Sequence, residues 1–158
     1  PYDITSASNV GSLDLTAVVT GSLGAVTLSS DGLKMFLCTS NNDIHEYELG
    51  SSYTLSGATL IQTVDVSALS VSTQNPVGIA FAYSGNILLV AGDDNEIVVE
   101  FNLPTAYSLT GIAFSGNTYD ATGQTDDLVG MDTNNDMTKL FVDKRTGTET
   151  IFEYDISC

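Results

Sequence analysis

The sequence predicts an all-β protein built from three copies of a four-stranded unit. Three observations predict it. A strand-like run ending in an acid–aromatic pair returns three times, turn residues divide each copy at matching places, and no segment keeps a helical period. The run is Asp43-Ile-His-Glu-Tyr-Glu-Leu49, then Glu96-Ile-Val-Val-Glu-Phe-Asn-Leu103, then Thr150-Ile-Phe-Glu-Tyr-Asp-Ile156. Its pairs Glu46-Tyr47, Glu100-Phe101 and Glu153-Tyr154 lie 54 and 53 residues apart.

The other elements follow in order. A first apolar run in each unit begins at Gly24-Ala-Val, Gly78-Ile-Ala and Gly130-Met-Asp. A turn comes next: Ser30-Asp31-Gly32, Ser84-Gly85-Asn86, or Asn134-Asn135-Asp136. Glycine, asparagine and aspartate supply the backbone angles and local hydrogen bonds that reverse a chain. The second run is Lys34-Met-Phe-Leu37, Ile87-Leu-Leu-Val90 or Lys139-Leu-Phe-Val142, and the acid–aromatic run is the third. A fourth run closes two units, Thr59-Leu-Ile-Gln-Thr-Val-Asp-Val66 and Ile112-Ala-Phe-Ser-Gly-Asn-Thr-Tyr-Asp120. Four strands in about 50 residues is the pattern of a β-propeller blade. The expected division is residues 1–15 as an outer strand, 16–70 as blade one, 71–124 as blade two and 125–158 as blade three.

Residues 78–101 read Gly-Ile-Ala-Phe…Ser-Gly-Asn-Ile-Leu-Leu-Val-Ala-Gly…Asn-Glu-Ile-Val-Val-Glu-Phe. This motif set resembles the YVTN/NHL/lactonase-like propeller superfamily, and its linkers look like repeats of phage and bacterial surface proteins. The resemblance implies a propeller fold. It implies no single function, because these propellers serve as enzymes, scaffolds and binding modules.

The third unit lacks a fourth run after Ile156. Tyr53 and Tyr107 each follow their acid–aromatic pair by six residues; after Tyr154 that place is position 160. A second copy joined after Cys158 would put Tyr2 there. Tyr2-Asp-Ile-Thr then matches Tyr53-Thr-Leu-Ser and Tyr107-Ser-Leu-Thr, and Leu13-Asp14 matches Val64-Asp65 and Tyr119-Asp120. The segment from Pro1 to about Leu15 is therefore the outer strand of a blade begun elsewhere, with Pro1, Tyr2, Ile4, Leu13 and Leu15 as interface residues. Three blades are too few to close a ring, which takes four to eight. Two copies make six. A tandem array within a longer chain would show the same in-frame seam.

Charge narrows the partners. Twenty acids against four bases give a net charge of −16. Nucleic acid binding draws on Lys and Arg, so it is not expected. An anionic membrane surface is disfavoured for the same reason, and no run of 18 apolar residues suggests a membrane helix. A surface rich in Ser, Thr, Asn and Gly suits an extracellular, secreted or virion-surface setting.

Residues that recur build the fold, so Asp14, Asp65, Asp120, Glu46, Glu100 and Glu153 read as strand-face or turn residues. His45 aligns with Val99 and Phe152 and reads as a packed residue. Asp132, Asn134 and Asp136 alternate like the oxygen ligands of a calcium loop, yet lack its glycine and terminal glutamate. Both a turn and a calcium site stay open there; no other cofactor is expected. Asp93-Asp94-Asn95 and Asp126-Asp127 read as loop acids. Lys144-Arg145 reads as a solvated pair or a docking point for an acidic neighbour. Cys38 and Cys158 break the repeat and suggest either free thiols or an intermolecular disulfide that stacks rings into a filament.

The expected function is a non-catalytic, self-associating structural module. The alternative is a carbohydrate- or receptor-binding propeller, for which Tyr83 is a candidate aromatic. A lactonase-type enzyme would need a central metal held by irregular residues from several blades.

Overall fold

A computed structural model describes residue 5 and residues 7–70, 74–134 and 136–156; of Tyr83 it describes only the backbone. Among the described residues the chain is all-β apart from short 3-10 turns. Strands β1 (Leu23–Leu28), β2 (Lys34–Thr39), β3 (Asp43–Glu48) and β4 (Thr59–Asp65) form a first antiparallel sheet in sequence order. Strands β5 (Pro76–Ala82), β6 (Ile87–Gly92), β7 (Ile97–Asn102) and β8 (Ala113–Asp120) form a second. Strands β9 (Leu128–Thr133), β10 (Lys139–Lys144) and β11 (Thr150–Asp155) form a third, in which β11 is an edge. The four-run pattern thus lands on strands in the first two units, and its three-run remnant on the third.

The second strands of the first two sheets, β2 and β6, are buried and largely apolar on both faces, while β10 buries Leu140 and Val142 on one face. Side chains alternate along a strand. In β2, Phe36 and Cys38 point toward the second sheet and join one core with its Leu88, Val90 and Phe101. In β6, Leu89 and Ala91 point the other way and join a second core with Leu140 and Val142 of the third sheet. Each sheet thus has a back face that receives the previous sheet and a forward face that meets the next. An edge-to-face chain of rings, Phe36–Phe81–Tyr107, ties the first sheet to the second.

The turn between the first two strands of a sheet explains a repeated glycine. Gly32 and Gly85 hold φ of 69° and 93°, which glycine adopts without strain. A Cβ at Gly32 would also lie 2.6 Å from the Tyr53 ring, and at Gly85 2.5 Å from Tyr107. The tyrosines that follow the acid–aromatic run are thus lids on these turns. In the third sheet Met137 holds the corresponding positive φ of 58°.

Cys38 has no exposed surface. Its sulfur accepts from the Ala25 N–H at 3.2 Å and donates to the Pro76 carbonyl at 3.5 Å. Burial pushes the thiol up to about 11, against a smaller opposing pull from the Ala25 N–H. A thiol that stays protonated and covered is a poor nucleophile. In a Cys158→Ser variant at pH about 8, Cys38 should resist an aromatic disulfide reagent until denaturant is added. Stoichiometric reaction of the native protein would contradict this packing.

Candidate functional site

The features that could act on another molecule lie at the two ends of the row of sheets. The first is the edge strand β11. Ile151 on it is 72% exposed, beside a cavity of about 710 Å³ lined by Met131, Phe141, Asp143 and Ile151. The second is the back face of the first sheet, where Val26 and Leu28 lie exposed beside buried Met35 and Leu37.

The segment before β1 is folded at its end, around residues 14–19. Asp14 Oδ1 accepts from the N–H and hydroxyl of Thr16. Asp65 does the same with Ser67, and Asp120 with Thr122. The next carbonyl accepts two N–H groups each time: Leu15 from Val18 and Val19, Val66 from Leu69 and Ser70, Ala121 from Gln124 and Thr125. The turn that ends β4 and β8 therefore recurs at residues 14–19, with no strand assigned before it among the described residues. Leu13 and Leu15 pack on Met35, Leu37, Tyr47 and Leu49 of the first sheet. Val64 and Val66 join the core shared with the second sheet in the same way. Pro1, Tyr2, Ile4 and Cys158 lie outside the described residues.

Glu46 departs from the strand-face reading. It is fully buried. One carboxylate oxygen pairs with Lys34 Nζ at 2.5 Å. The other accepts from Gln62 Nε2 at 2.7 Å and from the Leu109 N–H, in the second sheet, at 2.8 Å. Ile61 bulges out of register between Leu60 and Gln62, so Gln62 stands opposite Glu46. This carboxylate is a clasp between sheets. Sequence recurrence marked Glu46 as structural, but the clue to its burial was the matching recurrence of lysine at Lys34 and Lys139 and of an amide at Gln62 and Asn117. Glu100 accepts from Asn117 Nδ2 at 2.9 Å, and Glu153 pairs with Lys139 at 2.6 Å.

The other candidates make hydrogen bonds and ion pairs within their own turns and loops. Asn134 Oδ1 accepts from the Lys139 N–H, and Asp136 Oδ1 from the N–H and hydroxyl of Thr138. Asp132 accepts from the Thr133 N–H. These oxygens serve the turn, and among the described residues no three His, Cys, Asp or Glu side chains gather as a metal site. Asp93 and Asp94 both accept from Asn75 Nδ2. Burial first, then Asp127 and Asp94, raise the Asp93 carboxyl above its ordinary range. Arg145 grips Asp127 with two nitrogens, and Lys144 pairs with Asp126, so this basic pair is satisfied within its own sheet. The disulfide expectation meets a closed partner, since Cys38 sulfur is inaccessible.

His45 is buried on the back face of the first sheet, with Nδ1 2.8 Å from Thr63 Oγ1. Burial lowers its pKa, against an opposing pull from Asp43.

The comparisons bear on fold alone. No protein-family model matches the chain, and no curated protein matches it. Solved structures do. A putative 6-phosphogluconolactonase from Bacteroides uniformis ATCC 8492 superposes with TM-score 0.64 at 15% identity, over 91% of this chain and 40% of that one. The Cps50 (Swd1) β-propeller domain of Myceliophteria thermophila gives 0.56 at 12% identity, over 84% and 37%. The RRP9 WD40 repeats give 0.57 at 11% identity, over 79% and 33%. The fold is that of a β-propeller, and the chain spans 33–40% of the length of these structures.

Two outcomes test the site. Glu46→Ala should cost about 3 kcal/mol of unfolding free energy in a denaturant titration, because it strands a buried N–H and a lysine. Glu46→Gln, which keeps an acceptor, should cost less. For His45 the native pKa lies below the unfolded 6.5, so the unfolded chain takes up the proton first. Stability should therefore fall as pH drops below 6.5. His45→Val, which copies Val99, should shrink the loss of Tm between about pH 7.5 and about pH 5.5. An equal loss in both proteins would remove His45 from the account.

Proposed function

We propose that this protein is a non-catalytic, self-associating propeller module of an extracellular surface or appendage. Its three sheets are three blades, the last of which takes its outer strand from the N-terminal segment of a neighbouring copy. The observation that carries the reading is the turn at residues 14–19. It repeats the end of an outer strand, bond for bond, while among the described residues the third sheet has no strand beyond β11. A bare edge is a template for pairing. Two copies would supply six blades and close a ring with two-fold symmetry, within the usual range for propellers.

The side chains that could have pointed to catalysis serve other ends. Glu46, Asp14, Asp65 and Asp120 each hold a backbone N–H, and His45 is buried against Thr63. The acidic, Ser- and Thr-rich surface supports an extracellular setting.

The test is mass in native solution. The chain is 16.6 kDa, and a particle of twice that mass should form at micromolar concentration. Removal of residues 1–13 should abolish it. A compact single-chain particle, unchanged by the truncation, would end the reading.

A further inference from the structure

We propose that Glu153 of one copy accepts the Leu55 backbone N–H of a second copy, closing a clasp like the one Glu46 makes with Leu109. The inference rests on the strand-exchange reading above and adds the register and the key contact to it.

The donor side is ready. Leu55 and Leu109 occupy the same place in their sheets, two residues after the tyrosine lid. Each carbonyl accepts the N–H three residues on, Ala58 or Ile112, at 3.1 Å. The Leu109 N–H is held by Glu46 of the preceding sheet. The Leu55 N–H has no acceptor among the described residues, and Leu55 lines a cavity of about 430 Å³ with Val26, Leu28, Met35 and Tyr53. Among the described residues no sheet stands before the first one to supply a carboxylate.

The acceptor side is ready too. Glu153 stands on β11 where Glu46 stands on β3, opposite Phe141 as Glu46 is opposite Phe36. Lys139 holds it at 2.6 Å as Lys34 holds Glu46. Among the described residues no sheet follows its own. The forward face of the third sheet and the back face of the first are the two faces that other sheets cover elsewhere, and each carries what the other lacks.

The occupant is a second copy because this chain's own sequence fits the gap. Residues 2–19 align with 53–70 without a break: Tyr2 with Tyr53, Ala7 with Ala58, Asp14 with Asp65, Ala17 with Ala68. Ile44 pairs with Val64, and Glu46 with Gln62, across β3 and β4. Carried over, Ile151 pairs with Leu13 and Glu153 with Gly11, with Val10 bulged as Ile61 is. Ile151 is 72% exposed in the single chain, where its counterpart Ile44 is buried; pairing would help to cover it. Gly11 brings no amide, so Glu153 would keep two partners, Lys139 and Leu55, where Glu46 has three.

The experiment mixes two variants, each lacking its native cysteines through Cys38→Ala and Cys158→Ser. One carries Leu13→Cys, the other Ile151→Cys. Directly opposed strand residues lie within disulfide reach. Mild oxidation should give a covalent dimer of the two variants, while Ser12→Cys in place of Leu13→Cys should give little. Glu153→Ala, in a chain otherwise native, should raise the dimer dissociation constant at least about tenfold in sedimentation, as loss of a charge-assisted bond does. Its circular dichroism should not change. Absence of any dimer in the native chain would sink the strand-exchange reading itself. A dimer that ignores Glu153→Ala, or that cross-links through Ser12 instead, would overturn this contact and leave the exchange standing.

Discussion

Two-sided burial is the constraint from which the rest follows. The second strands of the first two sheets carry apolar side chains on both faces, and a sheet gains most when both faces are covered. Phe36 and Cys38 are satisfied by the second sheet, and Leu89 and Ala91 by the third. Burying such side chains is worth roughly 1.5–3 kcal/mol each. A row of sheets with two free ends leaves that gain uncollected at both ends. Val26 at one end and Ile151 at the other are its visible residue. In a propeller the ends meet, and a ring is the arrangement with no ends.

Polar groups sharpen this apolar logic. A carboxylate sealed between two sheets would be costly alone, yet Glu46 has a cation, an amide and a backbone N–H. Such a group favours one alignment of neighbouring sheets over its slipped alternatives, since a slip would strand a buried charge. The Asp–Ser/Thr turn does a parallel task at the end of each outer strand. It spends the aspartate on local N–H groups and reverses the chain toward the next sheet. The turn recurs with the repeat, whereas the sealed carboxylate is seen at Glu46.

Much of the fold was legible in the residues. The runs Lys34-Met-Phe-Leu37, Ile87-Leu-Leu-Val90 and Lys139-Leu-Phe-Val142 became the second strand of each sheet, and the acid–aromatic runs the third. The site was less legible. Glu46 looked like a strand-face acid because a one-dimensional pattern does not show which face meets a neighbour. Cys38 looked like a candidate for a bond to another molecule because its departure from the repeat was visible and its burial was not. Asp132, Asn134 and Asp136 share a spacing with both turn oxygens and calcium oxygens, and the sequence does not show that Asn134 and Asp136 accept from the Lys139 and Thr138 N–H groups.

By itself the sequence determined the strands, their turns and the number of repeats, because these depend on contacts between near neighbours and on alternation along a strand. It also showed that Tyr2, Leu13 and Asp14 match Tyr53, Val64 and Asp65 in spacing. Tertiary structure alone decided that Glu46 is sealed between sheets, that Cys38 is shut off from solvent, and that the bare edge and the bare face lie at opposite ends of the row. Those facts depend on which surface of each sheet is covered by another, and residues far apart in the chain settle that together.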